Sequence, residues 1–256
     1  GVVNVPDPRL DRLTELFVPD KVTPAVLKMV DIAGLVKGAS KGEGLGNQFL
    51  SHIRQVDAIA HVVRCFDDDN ITHVHGNIDP LRDIEIIKME LIIADIDQTE
   101  KKKTKVLHAT KSQKGIPPVI PVLDIVLNTL NSGQFASAAE LDHEQIELFS
   151  DLNLLTLKPY FYVANVIETD LHQINKYEAI LLKIATAEGV KAIKICSKIE
   201  AELAQMKKDE RNEFMQELGI STSGLDHIIH HGYSLLSQLT FFTAGKKEVR
   251  AWTVRN

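Results

Sequence analysis

The chain has 256 residues, of which 44% are hydrophobic and 25% are charged, a balance that allows a substantial core and excludes a peptide or a metal-stapled mini-domain. Its net charge of −6 argues against a uniformly basic nucleic-acid binder, and its two cysteines, Cys65 and Cys196, are too few for a disulfide scaffold. No apolar run approaches the roughly 18 residues that a membrane span needs.

Four short apolar runs predict strands, and each run is followed by a helical pattern. The runs are residues 26–30, 58–65, 160–164 and 190–196. Such runs, bounded by turn signals, are typical of buried strands in a parallel sheet. The later helical patterns cover residues 171–188, 198–218 (with a break near 207–209) and 225–239. This alternation predicts an α/β fold with a mostly parallel sheet.

The alternation is interrupted once, between the second and the third run. Helical patterns cover residues 80–112 and 119–130 there, separated by a turn rich in Gly and Pro. Two helices joined by a tight turn form an αα-hairpin. We therefore expect an inserted helical coiled-coil domain at residues 80–151 within a core domain made of residues 1–79 and 152–256.

The first predicted strand ends in a candidate phosphate-binding element. Asp31 closes the run and Gly34 follows three residues later, which is the D-x-x-G form found in P-loop nucleotidases. There the Asp helps to hold Mg²⁺, and the glycine N–H approaches the γ-phosphate because the residue has no Cβ. An Asp that closes a strand and caps the next turn is the structural alternative.

A glycine-rich stretch follows this element directly. Five of the 14 glycines lie within residues 34–46, among Lys37, Lys41 and Glu43. The many backbone N–H groups of such a stretch indicate a switch loop that orders around a phosphate. An ordinary flexible connection before a helix at residues 45–56 explains the same composition.

Two further strand ends carry polar side chains. Asn165, Val166 and Glu168 follow the third run, and Ser197 follows the fourth. Because ligands bind at the carboxyl ends of the strands in open parallel sheets, we expect Asp31, Asn165 and Ser197 on one ligand-binding edge. Their order along the chain matches the D-x-x-G, N-K-x-D and S-A-K elements of a G-domain.

Five segments are specific enough to identify a family. They are VDIAGL at 30–35, GASKGEGLGN at 38–47, HVVRCF at 61–66, LTLKP at 155–159 and FTAGKKEVRAW at 242–252. Together they resemble the YchF / Obg-like ATPase family, in the Obg-related branch of the translation-factor GTPases. The resemblance runs from end to end and implies a P-loop-NTPase-like α/β fold, binding of ATP or GTP with Mg²⁺, and association with ribosomes in the cytoplasm.

The resemblance makes Asn165, Val166 and Glu168 the base-recognition element, with Ser197 beside it. Glu168 is one methylene longer than the Asp that reads guanine in GTPases, and Val166 replaces a charged Lys. A site that misplaces its carboxylate loses the hydrogen bonds that reject adenine. The resemblance thus implies a preference for ATP, with Val166 contacting adenine through its backbone.

The resemblance also makes Asp31 and Gly34 the catalytic pair that senses Mg²⁺ and the γ-phosphate, with Asp31 as the metal ligand. No G-x-x-x-x-G-K-[ST] phosphate cradle occurs among the 256 residues. In family members the cradle lies upstream of the segment that matches Gly1, and a TGS domain follows the segment that ends this chain. We therefore expect hydrolysis only where the cradle is supplied.

Six lysines concentrate at the predicted helical hairpin. They indicate a nucleic-acid surface with salt-dependent affinity, although a solvated helix face gives the same pattern and no aromatic residue interleaves the run. With the ribosome association that the resemblance implies, ribosomal RNA becomes the expected partner. The lysines are Lys101, Lys102, Lys103, Lys105, Lys111 and Lys114.

These observations predict a cytoplasmic, ribosome-associated protein that binds ATP or GTP with Mg²⁺ and hydrolyses ATP better than GTP when the P-loop is present. We expect no membrane partner, and a monomer is favoured. The alternative is a ribosome- or RNA-binding module whose nucleotide site is vestigial because the phosphate cradle is absent from the chain.

Overall fold

A computed structural model gives the conformation of the chain. It describes residues 1–32, 45–68, 70–71, 77–111 and 115–255. The chain forms two compact units. The first unit contains Gly1–Asp31, Ala60–Leu81 and Pro159–Asn256, and the second contains Ile32–Ile59 and Arg82–Lys158.

Strands and helices alternate along most of the described chain. The strands are β1 (Val2–Asn4), β2 (Val22–Thr23), β3 (Val26–Lys28), β4 (Ile59–Arg64), β5 (Tyr160–Asn165), β6 (Ala192–Ile195), β7 (Gln238–Ala244) and β8 (Val249–Arg255). The helices are α1 (Pro8–Phe17), α2 (Leu45–Arg54), α3 (Pro80–Ala109), α4 (Val119–Asn131), α5 (His143–Glu147), α6 (Lys176–Glu188), α7 (Ser197–Leu203), α8 (Lys208–Glu217) and α9 (Gly224–Leu235).

Three of the four predicted strand runs form one sheet, in the order β4-β5-β6. β5 and β6 run parallel, with Tyr162 beside Ala192 and Asn165 beside Ile195. Residues 161–164 in the centre of β5 are at most 2% exposed, as expected for a parallel strand that is covered on both faces. A parallel pair needs a long crossover connection, and α6 supplies it.

The remaining run, residues 26–30, does not belong to that sheet. β3 pairs antiparallel with β1 in a two-stranded sheet. Val26 and Val30 are 50% and 45% exposed, while Leu27 and Met29 pack into hydrophobic clusters. The prediction of a buried parallel strand is therefore wrong at this position. A short apolar run cannot reveal this, because a valine on an exposed face looks the same in sequence as a buried one.

The helix that links β5 to β6 begins later than the pattern predicts. α6 starts at Lys176 rather than at position 171, because Asn175 caps it. The side-chain oxygen of Asn175 accepts hydrogen bonds from the N–H groups of Tyr177 and Glu178, both at 2.9 Å. The predicted break in the helical pattern after β6 is confirmed by the separate helices α7 and α8.

The last helix ends early, and a β-hairpin that was not predicted follows it. Ser237 adopts a positive φ of 52° between α9 and the antiparallel pair β7–β8. The hydroxyl of Tyr233 on α9 lies 2.8 Å from the Thr240 hydroxyl and 3.0 Å from the Thr253 hydroxyl. These contacts fix the helix against both strands. The helical pattern predicted up to residue 239 is wrong over its last turn, because α9 ends at Leu235 and β7 begins at Gln238.

The second unit contains the predicted αα-hairpin. Ile92 of α3 packs with Leu123 and Val126 of α4 in one hydrophobic cluster, and Lys103 of α3 forms an ion pair with Asp124 of α4. α3 is 30 residues long, yet no helix in the described part of the chain is long and apolar enough to cross a membrane. The hairpin itself is confirmed, whereas the limits of the inserted domain stay a prediction.

A buried carboxylate explains the LTLKP segment. Asp95 of α3 is fully buried and accepts hydrogen bonds from the N–H of Leu155 (3.1 Å) and from the N–H (2.8 Å) and hydroxyl (2.7 Å) of Thr156. The guanidinium of Arg54 also pairs with this carboxylate, at 3.2 Å. The Lys158 ammonium donates to the carbonyl of Arg54 at 3.1 Å. The segment therefore joins the end of α2 to the middle of α3.

Candidate functional site

The carboxyl ends of β5 and β6 meet through Asn165 and Ser197. Asn165 is the last residue of β5, and Ser197 opens α7 directly after β6. The side-chain oxygen of Asn165 accepts hydrogen bonds from the N–H of Ser197 at 3.0 Å and from its hydroxyl at 2.8 Å. Two donors on this oxygen fix the amide group, and its NH₂ remains as the donor end. The structure thus brings together two of the three residues expected on this edge, whereas Asp31 follows β3, which is not part of the β4-β5-β6 sheet.

Val166 and Glu168 continue the chain from this point in different environments. The N–H of Val166 donates to the carbonyl of Ile195 at 2.8 Å, and its side chain is 2% exposed. Glu168 is exposed and begins a short 3₁₀ helix, Glu168–Asp170. The backbone at Val166 is therefore fixed to β6, while the carboxylate two residues later faces solvent.

Lys194 holds the loop that follows β5, and sequence reasoning missed it. Its ammonium donates to the carbonyl oxygens of Asp170 (3.1 Å), Leu171 (3.4 Å) and Gln173 (2.8 Å). It also forms an ion pair of 2.9 Å with the carboxylate of Glu178, whose side chain is 5% exposed. A signal was present in the sequence: a lysine in the middle of a short apolar strand must find polar partners.

Asn175 and Cys65 join the same loop to the end of β4. The Asn175 amide donates to the Cys65 carbonyl and to the Asp170 carboxylate, both at 2.7 Å, and the Cys65 N–H donates to the Asn165 carbonyl at 2.8 Å. Burial, with a smaller effect from the charge of Glu178, raises the pKa of the Cys65 thiol to about 12. The thiol is therefore protonated at neutral pH and is a poor nucleophile there.

Arg64 organises the loop after β4 in a similar way. Its guanidinium donates to the carbonyl oxygens of Phe66 (3.1 Å), Asp68 (3.0 Å) and Ile71 (2.9 Å). It also lies 4.7 Å from the centre of the Phe66 ring, within the range of a cation–π contact. These contacts explain the HVVRCF segment in physical terms: the segment ends β4, and its arginine holds carbonyl groups of the loop that follows.

Of the predicted catalytic pair, the structure describes Asp31 alone. Asp31 is exposed and follows Met29, which packs against Phe161 and Val163 of β5. Gly34 and most of the glycine-rich stretch lie outside the described residues. Mg²⁺ is usually held by one or two carboxylates together with phosphate oxygens and water, so an exposed aspartate fits that ion. Within the described ranges, no three His, Cys, Asp or Glu side chains assemble into a metal-binding group.

Half of the predicted lysine surface is paired with carboxylates of its own unit. Lys105 is exposed near the end of α3, and Lys111 is exposed just after the helix ends at Ala109. Lys114 lies outside the described residues. The carboxylates offset the charge of the other three lysines, so the remaining positive charge lies toward the turn of the hairpin. The pairs are Lys101–Asp97, Lys102–Asp151 and Lys103–Asp124.

Comparison with known proteins first shows which class of protein the chain resembles. A family model described as "50S ribosome-binding GTPase" matches residues 11–128. The structure of the Schizosaccharomyces pombe YchF GTPase superposes with a TM-score of 0.86 at 37% sequence identity, covering 99% of this chain and 70% of that one. The α/β fold class that the sequence predicted is thereby confirmed, within the GTPase-like nucleotide-binding domains.

Curated relatives narrow the class to one family. The "Ribosome-binding ATPase YchF" of Bacillus subtilis (strain 168) is 49% identical over 258 residues, which is 100% of this chain and 70% of that protein. The protein of the same name from Escherichia coli O157:H7 is 48% identical over 255 residues, covering 99% of this chain and 70% of its own length. The chain belongs to the YchF family, as its sequence motifs indicated.

Proposed function

We propose that the chain is the nucleotide-binding part of a ribosome-associated ATPase. It binds ATP, and GTP more weakly, together with Mg²⁺, and γ-phosphoryl transfer to water follows when a phosphate cradle is present. Relatives named ribosome-binding ATPases and the GTPase family model support this proposal. The observation that carries it is the hydrogen-bonded pair Asn165–Ser197 at the carboxyl ends of two parallel strands, where α/β sheets bind ligands.

The base is read by the segment from Asn165 to Glu168. Because the N–H of Val166 is already bonded to the carbonyl of Ile195, its backbone contact with adenine uses the Val166 carbonyl, which accepts from the N6 amino group. Glu168 differs from the guanine-reading Asp by one methylene. It therefore does not hold the guanine N1 and N2 groups in the geometry that excludes adenine.

Asp31 and Gly34 serve the phosphate end of the nucleotide. Asp31 supplies a carboxylate to Mg²⁺, and the backbone N–H of Gly34 donates to the γ-phosphate. When bound, Mg²⁺ neutralises charge on the β- and γ-phosphates. The support for Asp31 is its exposure directly after a segment that packs on β5, and the support for Gly34 is the D-x-x-G spacing alone.

We also propose that residues 80–151 form the inserted coiled-coil domain of a core made of residues 1–79 and 152–256. The α3–α4 hairpin supports the insert. The family resemblance also supports a cytoplasmic location. A monomer is favoured, and gel filtration with light scattering tests this by comparing the measured mass with 28.5 kDa.

Equilibrium titration with fluorescent ATP and GTP, with and without Mg²⁺, tests the proposed nucleotide site. We expect micromolar binding that favours ATP. Ser197→Ala removes the hydroxyl that holds Asn165 and should weaken ATP binding by about fivefold, by loss of one hydrogen bond. Ser150→Ala is the matched control, because that exposed hydroxyl bonds only a local carbonyl. A folded chain that binds neither nucleotide would refute the proposal.

A second candidate function is an RNA-binding module without a working nucleotide site. It is favoured by the exposed side chains of Lys105 and Lys111. If these lysines contact phosphates of single-stranded RNA, replacing both by Ala reduces the slope of log K against log[salt] by about 1.4. Lys183→Ala, on the exposed face of α6, should leave the slope unchanged. If the double substitution leaves RNA binding and its salt dependence unchanged, these two lysines are not the RNA-binding surface.

A further inference from the structure

We propose that Lys194 is the positioning residue that sets the choice between adenine and guanine. The inference rests on the proposed nucleotide function, because it concerns the loop that carries the base-reading carboxylate. Lys194 lies on β6, one residue before Ile195, and its neighbour across the parallel pair is Ala164. Its side chain therefore starts beside the end of β5, where the base-recognition segment begins.

β6 fixes the chain on both sides of Glu168. Before Glu168, the N–H of Val166 donates to the carbonyl of Ile195 at 2.8 Å. After Glu168, the carbonyl of Asp170 accepts from the Lys194 ammonium at 3.1 Å. Adjacent residues of one strand thus hold the chain two residues before and two residues after Glu168. Glu168 therefore lies in a short segment that is fixed at both ends.

The ammonium of Lys194 satisfies more than one carbonyl of this loop. It also bonds the carbonyl of Gln173 at 2.8 Å, and the buried Glu178 carboxylate, 2.9 Å away, compensates its charge. A buried charge without a partner is strongly unfavourable, and the Glu178 side chain is 5% exposed. The pair therefore makes the loop conformation a defined state rather than one of several, and no apolar side chain at position 194 could do so.

The consequence for base choice follows from the length of the Glu168 side chain. With the loop fixed, a carboxylate one methylene too long cannot place its oxygens where an Asp would accept from guanine N1 and N2. With the loop released, the backbone at Glu168 can move away from the base by about the length of one methylene, which allows the carboxylate to contact guanine. Loss of the Lys194 ammonium should therefore favour GTP relative to ATP, rather than weaken both nucleotides equally.

Lys194→Met tests this inference, since it keeps an unbranched stem that matches the lysine side chain up to Cε and removes the ammonium. We expect the ratio of GTP to ATP dissociation constants, measured with the fluorescent nucleotides, to fall at least about fivefold. Lys183→Met is the matched control: it makes the same charge change on the exposed face of α6 and should leave the ratio unchanged. Equal weakening of both nucleotides would overturn the inference, because a merely structural residue gives that result.

A second variant protects the test against misfolding. Lys194→Met leaves the buried Glu178 carboxylate without its cation, so Lys194→Met combined with Glu178→Gln removes both charges at nearly constant shape. Hydrogen exchange of residues 168–173 in the nucleotide-free chain should accelerate in both variants, and unchanged exchange would overturn the claim that Lys194 holds the loop. If the unaltered chain binds no nucleotide, the proposed function fails and this inference with it. An unchanged ratio in variants of a chain that does bind overturns this inference alone.

Discussion

Replacing Asp95 by alanine removes the acceptor on which the second unit depends. The carboxylate is fully buried and receives the Arg54 guanidinium, two backbone N–H groups and the Thr156 hydroxyl. A buried donor left without an acceptor costs about 1–3 kcal/mol. The Arg54 side chain is 22% exposed and regains water, and some relaxation lowers the total. We therefore expect a loss of about 4 kcal/mol in the free energy of unfolding.

Urea unfolding followed by circular dichroism measures this loss, with the denaturant slopes compared to confirm that the same surface unfolds. Asp95→Asn keeps the shape but turns one acceptor oxygen into a donor, so it should cost about 2 kcal/mol. Asp97→Ala is the matched control on the same helix: its side chain is 61% exposed and pairs with Lys101 at i,i+4, which is worth about 0.5 kcal/mol. An Asp95→Ala variant as stable as Asp97→Ala would show that the buried carboxylate does not stabilise the second unit.

Two further predictions concern the first unit. A methyl group added at Gly224 would lie 2.6 Å from a side-chain carbon of Ile195, so Gly224→Ala should lower the free energy of unfolding by about 2 kcal/mol. Gly245→Ala meets no atom within 4 Å and should change it little; equal effects would contradict the packing argument. Cys65 and Cys196 are buried, and the pKa of Cys65 is raised to about 12, so a disulfide reagent at pH 8 should label neither thiol in the native chain and both in guanidinium. Rapid labelling of a native thiol would show that this region opens.

The predicted site residues at the ends of β5 and β6 were accessible from sequence because the signal is local. An apolar run followed by Asn165 or Ser197 indicates a strand end, and the rule for parallel sheets brings such ends together. The structure joins these two residues by hydrogen bonds. The roles of Val166 and Glu168 in base recognition remain predictions that the geometry supports without testing.

The residues that sequence reasoning missed act over long separations. Asp95 bonds residues about 60 positions away, and Asn175 bonds the Cys65 carbonyl 110 positions away. No periodicity records such a partner, since the polar atoms meet only after the strands and helices have packed. Lys194 is the one missed residue with a signal in the sequence, because a lysine inside an apolar strand indicates that buried polar partners lie nearby.

Competition between ATP and GTP for the chain and for its Asn165→Ala variant tests whether the edge formed by Asn165 and Ser197 binds the base. We expect the unaltered chain to prefer ATP. Removal of the Asn165 amide should weaken ATP binding by about tenfold, because a site that bonds a base loses its fixed donor. Asn128→Ala, on the exposed face of α4, should bind as the unaltered chain does. A folded Asn165→Ala variant that binds ATP as tightly as the unaltered chain would show that Asn165 does not bind the base.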